Sequence, residues 1–146
     1  MSEPRVWTFF YGSYMSRKVL AEVGLAPERL EPGRLDGHDI RIEPRANLVA
    51  SERDSVYGAL AQVSHGELAR LYAHARDVLG ETYLPHPVLV VTQEGAWRPA
   101  LCYIAAAMTP GPADPAYVER ILGPAREMGF PRWYLERLER FLAGRR

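Results

Sequence analysis

Apolar positions fall in two rhythms along this chain. Val6-Trp-Thr-Phe-Phe10 is an unbroken run of apolar or β-favouring residues, too short for a convincing helix and suited to a strand buried on both faces. Gly12 breaks the run. Ser16 then offers an N-cap for a short helix, Arg17 to Val23, and Gly24 fits its C-terminal end. Leu30 to Leu35 is expected as a short strand. Asp36-Gly37 reads as a hairpin turn into His38-Asp-Ile-Arg-Ile42, where apolar residues alternate. Glu43 to Asn47 reads as an irregular polar loop, and Ser55 to Val63 as a further strand.

Helical spacing takes over at Ser64-His-Gly-Glu67, a capping box in which serine and glutamate each satisfy the other's backbone N–H. Leu68, Leu71, Tyr72, Ala75 and Leu79 then recur on one face, so Ala75 belongs to the inward stripe while His74 and Asp77 fall off it. Gly80 ends the helix. Glu81 to Pro87 is an extended, proline-stiffened approach to a strand over Val88 to Thr92. Gln93-Glu-Gly95 turns it into a last strand from Arg98 to Ala106. Asp114-Pro115 caps a helix carrying Tyr117, Val118, Ile121 and Leu122, which Pro124 is expected to kink or interrupt. A final helix starts at Arg132. The pattern gives one α+β domain over 1–146: a mostly antiparallel, barrel-like sheet with helices at its rim.

Composition narrows the partners. Eighteen basic residues balance eighteen acidic ones, so no long-range attraction to nucleic acid or an anionic membrane is expected. Cys102 is alone and sits in an apolar run, where a packed thiol is expected. The N-terminal residues lack a signal pattern and no apolar run reaches membrane-spanning length, so a cytoplasmic location is expected.

The chemistry concentrates where the first strand meets Gly12, because a strand, a tight turn and a helix start leave backbone N–H groups free to hold an oxygen. With the chain laid out, Phe10-Tyr-Gly-Ser-Tyr-Met15 resembles the Tyr-Gly-Ser-Asn-Leu/Met loop of the γ-glutamylcyclotransferase-like family, which includes the AIG2-like proteins. Ser55-Val-Tyr-Gly-Ala-Leu60 is similar to that family's Val-Trp/Tyr-Gly strand. Tyr83 matches the tyrosine opening the strand after the capped helix. Tyr117 to Ile121, through Ala125 to Pro131, and on to Tyr134 to Leu138, follows the C-terminal helices of the animal-type enzymes.

The resemblance implies a reaction with no metal or organic cofactor: the α-amino group of a γ-glutamyl compound attacks its own γ-carbonyl, forming 5-oxoproline and releasing an amine. It implies a small γ-glutamyl-like ligand bound by Tyr11, Gly12, Ser13, Tyr14, Met15, Tyr83 and Tyr117. A glutamate late in the capped helix is the family's general acid/base. Aligning on Leu71 puts Ala75 there, and counting back from Tyr83 puts Arg76 there. Neither can serve as a base. Tyr14 also replaces the loop asparagine.

Glu81, just past the helix, is the first substitute, although it also reads as a solvent-facing carboxylate after a glycine cap. His74 is adjacent to the vacated position and titrates near neutrality, but its place off the stripe suits an exposed histidine. His86 lies further along the strand, and Glu43 would enter from the facing loop. Three functions follow: an enzyme with a relocated base, an inactive binder of a small amide or amino acid in the same pocket, or an interaction scaffold.

Overall fold

The computed structural model describes residues 3–142. Five strands, β1 (Arg5–Phe10), β2 (Glu31–Ile42), β3 (Ala46–Ser64), β4 (Leu84–Thr92) and β5 (Trp97–Ile104), form a closed barrel in the order β1-β3-β2-β4-β5. All neighbours are antiparallel except β1 and β5, which close the ring in parallel at Thr8↔Leu101 and Phe9↔Cys102. Phe9 and Phe10 point to opposite faces of β1, and both are fully buried. That is the two-sided burial expected of an unbroken apolar run. Each such side chain contributes about 1.5–3 kcal/mol.

The long ribbon of β2 and β3 corrects the hairpin expected at Asp36-Gly37. There the strand continues, and the register shifts between Asp36 and His38. Gly37 takes φ +84°, a conformation that serves a bulge as well as a turn. Asp36 is held within the sheet by Arg34 (2.8 and 3.2 Å) and Ser55 (2.6 Å). The chain instead reverses over residues 43–45, between the paired Ile42 and Ala46. Ala46 and Asn47 therefore begin a strand rather than finishing a loop.

Helix α1 (Arg17–Glu22) follows one tight 3-10 turn, Ser13–Met15. Helix α2 (His65–His74) opens with both halves of its capping box formed, at 3.1 Å from the Glu67 N–H to Ser64 and 2.9 Å back. It runs into a wider π turn, Ala75–Leu79, that ends at Gly80 with φ +76°. Ala75 is fully buried, as its place on the apolar stripe predicts. Helix α3 (Pro115–Glu127) passes through Pro124 without interruption. Burial of Ile121 and Leu122 before the proline and Ala125 after it holds the helix across the missing hydrogen bond. Helix α4 (Arg132–Glu139) lays Tyr134 and Leu138 on the core. Among the described residues, no helix is long and apolar enough to cross a membrane.

Candidate functional site

The turn after β1 is buried from Tyr11 through Met15. Gly12 is its hub: a Cβ there would lie 2.9 Å from the Ala46 Cβ, 3.5 Å from the Tyr103 hydroxyl and 3.7 Å from the Tyr117 hydroxyl. Only glycine lets the hairpin tip of β2 and β3, the end of β5 and the start of α3 converge this closely.

The N–H groups of Tyr11 and Gly12 both donate to the Tyr103 hydroxyl, each at 3.2 Å. The Tyr11 hydroxyl returns a bond to the Tyr103 carbonyl at 2.6 Å, and the two rings stack at 4.5 Å between centroids. The turn is therefore not an open cradle. A side chain from β5 already occupies two of its donors, and Tyr103 is the residue that sequence reasoning missed.

A second clamp faces it. The Ala46 N–H donates to the Tyr117 hydroxyl (2.9 Å), and the Tyr83 hydroxyl donates to the Ala46 carbonyl (2.5 Å). The backbone of Ala46 is thus held at both its N–H and its carbonyl by tyrosines that the sequence had assigned to the site. Asn47 continues the staple, accepting from the Ala105 N–H (2.9 Å) and donating to the Ala105 carbonyl (2.8 Å). Tyr14, in place of the loop asparagine, shares a hydrogen bond with His74 Nδ1 at 2.9 Å. His74 therefore meets the turn after all, reaching it from the edge of the helix rather than from its inward stripe.

Glu81 comes to this cluster by way of the helix end. Its N–H donates to the Ala75 carbonyl at 3.0 Å, which fastens the backbone of Glu81 to the buried start of the π turn. The side chain is half-buried. Burial holds its pKa above the ordinary carboxylate value, and the Arg45 guanidinium opposes that rise. The same carboxylate helps to raise the pKa of Tyr83 and Tyr117, for which burial is the first cause. Arg45 lies over the Tyr117 ring, 4.8 Å from its centroid. Burial likewise drives Tyr11, Tyr14 and Tyr103 upward, so these hydroxyls keep their protons at neutral pH.

The sequence-assigned Tyr11, Gly12, Ser13, Tyr14, Tyr83, Tyr117 and Glu81 thus gather around one turn. Met15 packs into the hydrophobic core and also lines a cleft of about 490 Å³ beside α1 and α3. His86 lies exposed on β4. Cys102 is buried, with its thiol pushed up to about 12 by desolvation. Among the described residues, no three His, Cys, Asp or Glu side chains gather where they could hold a metal ion.

A closed barrel with a Tyr-Gly-Ser turn beneath the end of a capped helix defines the α+β fold of the γ-glutamylcyclotransferases. The chain belongs to the gamma-glutamyl cyclotransferase, AIG2-like family, whose profile matches residues 8–120. Its fold is similar to that of an uncharacterised protein from Homo sapiens, at 23% identity over 94% of this chain and 88% of that one, with a TM-score of 0.82. It is also similar to a gamma-glutamyl cyclotransferase, at 23% identity over 93% and 87% of the two chains and a TM-score of 0.75. A yeast gamma-glutamyl cyclotransferase specific to glutathione is similar over 95% and 96%, at 15% identity and a TM-score of 0.64. No curated protein matches the chain by sequence.

Proposed function

We propose that this protein cyclises a γ-glutamyl amide or amine to 5-oxoproline and releases the amine, with Glu81 as general base. The observation that carries this reading is Glu81 itself: a half-buried carboxylate with a raised pKa, tied to Ala75 and coupled to Tyr83, Tyr117 and Arg45. A base must take the proton from the substrate's α-ammonium group. The freed nitrogen attacks the γ-carbonyl carbon, the lactam C–N bond forms and the original amide C–N bond breaks. The proton held by Glu81 goes to the departing nitrogen. No water or co-reactant is consumed.

Charge developing on the carbonyl oxygen needs a donor aimed at it. The Tyr103 hydroxyl accepts from two N–H groups, which leaves its own proton to donate and makes it the group in this reading that meets the oxyanion.

The test is 5-oxoproline release from a panel of γ-glutamyl amines and amino acids, comparing wild type with Glu81→Gln. General acid/base assistance is worth about 100- to 10,000-fold, and the variant is expected to lose turnover on that scale while remaining folded. Equal turnover in the two proteins removes Glu81 as the base. In the wild type, kcat/KM is expected to rise with pH through a midpoint above the ordinary carboxylate value, because the base acts only when ionised.

A second reading is a binder of a small amide or amino acid at the same turn. The absence of a carboxylate at Ala75 and Arg76, the two positions that align with the family's glutamate, favours it. Saturable binding of a γ-glutamyl compound without any turnover would select it.

A further inference from the structure

The barrel has another end. Period-two alternation puts Trp7, Gln62, Glu31 and Arg98 on the same face of their strands as Phe9, Leu60, Gly33 and Ala100, and there Leu60 and Val90 meet over Gly33 inside the barrel. These four residues therefore line the mouth opposite the Gly12 turn. Together with the segment after α1 they enclose a cleft of about 490 Å³.

Most charges there are matched. Arg5 lies 3.6 Å from Glu67 and donates to the Gln62 carbonyl at 3.4 Å, while Arg29 lies 3.5 Å from Glu31. Two are not. The Arg98 guanidinium stacks on the Trp7 ring at 4.1 Å, and its Nε is buried without a hydrogen-bond partner. Among the described residues it has no ion pair. The Glu28 carboxylate lines the same cleft and likewise has neither a hydrogen bond nor an ion pair among the described residues.

We propose that this mouth is a binding site for a free α-amino acid, whose carboxylate lies along Arg98 and whose ammonium group meets Glu28. A guanidinium flattened on an indole keeps its edge for a planar carboxylate and loses little freedom on binding. The terminal nitrogens of Arg98, unlike its buried Nε, are open to the cleft and hold no hydrogen bond among the described residues, so they are the donors left for the carboxylate. The unmatched carboxylate makes the cleft unfavourable for phosphate and other dianions, and favours a ligand that carries its own cation. The site is separate from the Gly12 turn and does not depend on the cyclotransferase reading.

The experiment is a titration of isotopically labelled protein with a panel of neutral L-amino acids. Acetate, methylammonium and inorganic phosphate serve as comparisons. The signals followed are the Arg98 Nε–H and the Trp7 indole N–H. At least one amino acid is expected to shift both saturably at up to millimolar concentration, more tightly than any comparison ion. Loss of one charge-assisted anchor weakens binding by roughly 10-fold or more, which is the effect expected for Arg98→Met. Glu28→Gln, on an exposed residue, is expected to weaken the amino acid and leave acetate unchanged. The proposal is overturned by the absence of any saturable shift, by acetate or phosphate binding as tightly, or by undiminished affinity in a folded Arg98→Met. Should Arg98→Met not fold, unchanged amino-acid affinity in Glu28→Gln overturns it.

Discussion

The two ends of the barrel hold their polar groups in opposite ways. At the Gly12 end the hydrogen-bonded clasp is neutral, made of tyrosine hydroxyls, backbone amides and Asn47, nearly all out of water and bonded to one another. Glu81 and Arg45 are the charged groups beside it. At the other mouth the groups are ionic, wetted and only partly matched. A neutral hydroxyl is inexpensive to bury when it is bonded, whereas a charge is costly to bury even when paired. The contrast separates an end built for a fixed geometry from one built to exchange its partners with solution.

Removing a hydroxyl should distinguish them most sharply. Tyr103→Phe leaves the buried N–H groups of Tyr11 and Gly12 without an acceptor, at roughly 1–3 kcal/mol for each orphaned group. Denaturant unfolding is expected to show the loss of their sum, and a change within error would mean water replaces the hydroxyl. Asn47→Ala breaks the two bonds to Ala105 and is expected to cost about 1–3 kcal/mol by the same measurement; a neutral result would make that staple dispensable.

A smaller effect lies in pH. Burial raises the folded pKa of Glu81 above its ordinary value of 4.5, so the fold favours the protonated form. The stability linked to this group is full below the unfolded value and is lost as pH rises through the folded one. Glu81→Gln is expected to remove that decline, seen as a flatter curve of stability against pH; an unchanged curve would place the carboxylate in water. At the opposite mouth, Gln62→Ala removes an exposed side chain while leaving the carbonyl that Arg5 uses, and a change within about 0.5 kcal/mol is expected. A loss as large as that of Tyr103→Phe would erase the contrast between the two ends.

Local grammar was legible where neighbours in sequence satisfy one another. Ser64 with Glu67, Asp114 with the Ala116 N–H, and Gly80 at its positive φ are formed as their spacing foretells. The sequence fails where a distant partner decides. Gly37 suits turn and bulge equally, and pairing with Ser55 and Ala50 on either side selects the bulge. Pro124 stays in its helix because of packing that its neighbours in sequence do not reveal. At the candidate site, Tyr11, Tyr14, Tyr83 and Tyr117 were found through the family resemblance. Tyr103 was not, since β5 shows only an alternating apolar strand and its register against β1 is set by barrel closure. His74 was discounted because helical spacing reports the core face and not the rim, where Tyr14 meets it.

The parallel seam between β1 and β5 has a consequence in time. β1 leaves the ribosome well before β5 and finds that neighbour only when β5 exists, and the clasp that fills the Gly12 turn joins residues 92 apart. Closing so long a loop is slow, because its entropy is lost before any contact rewards it. The antiparallel ribbon of β2 and β3 needs no such wait. A nascent chain therefore carries the most recognisable stretch of its sequence unfinished until the barrel shuts. Whatever Glu81 does, it does only in molecules that have completed that final step.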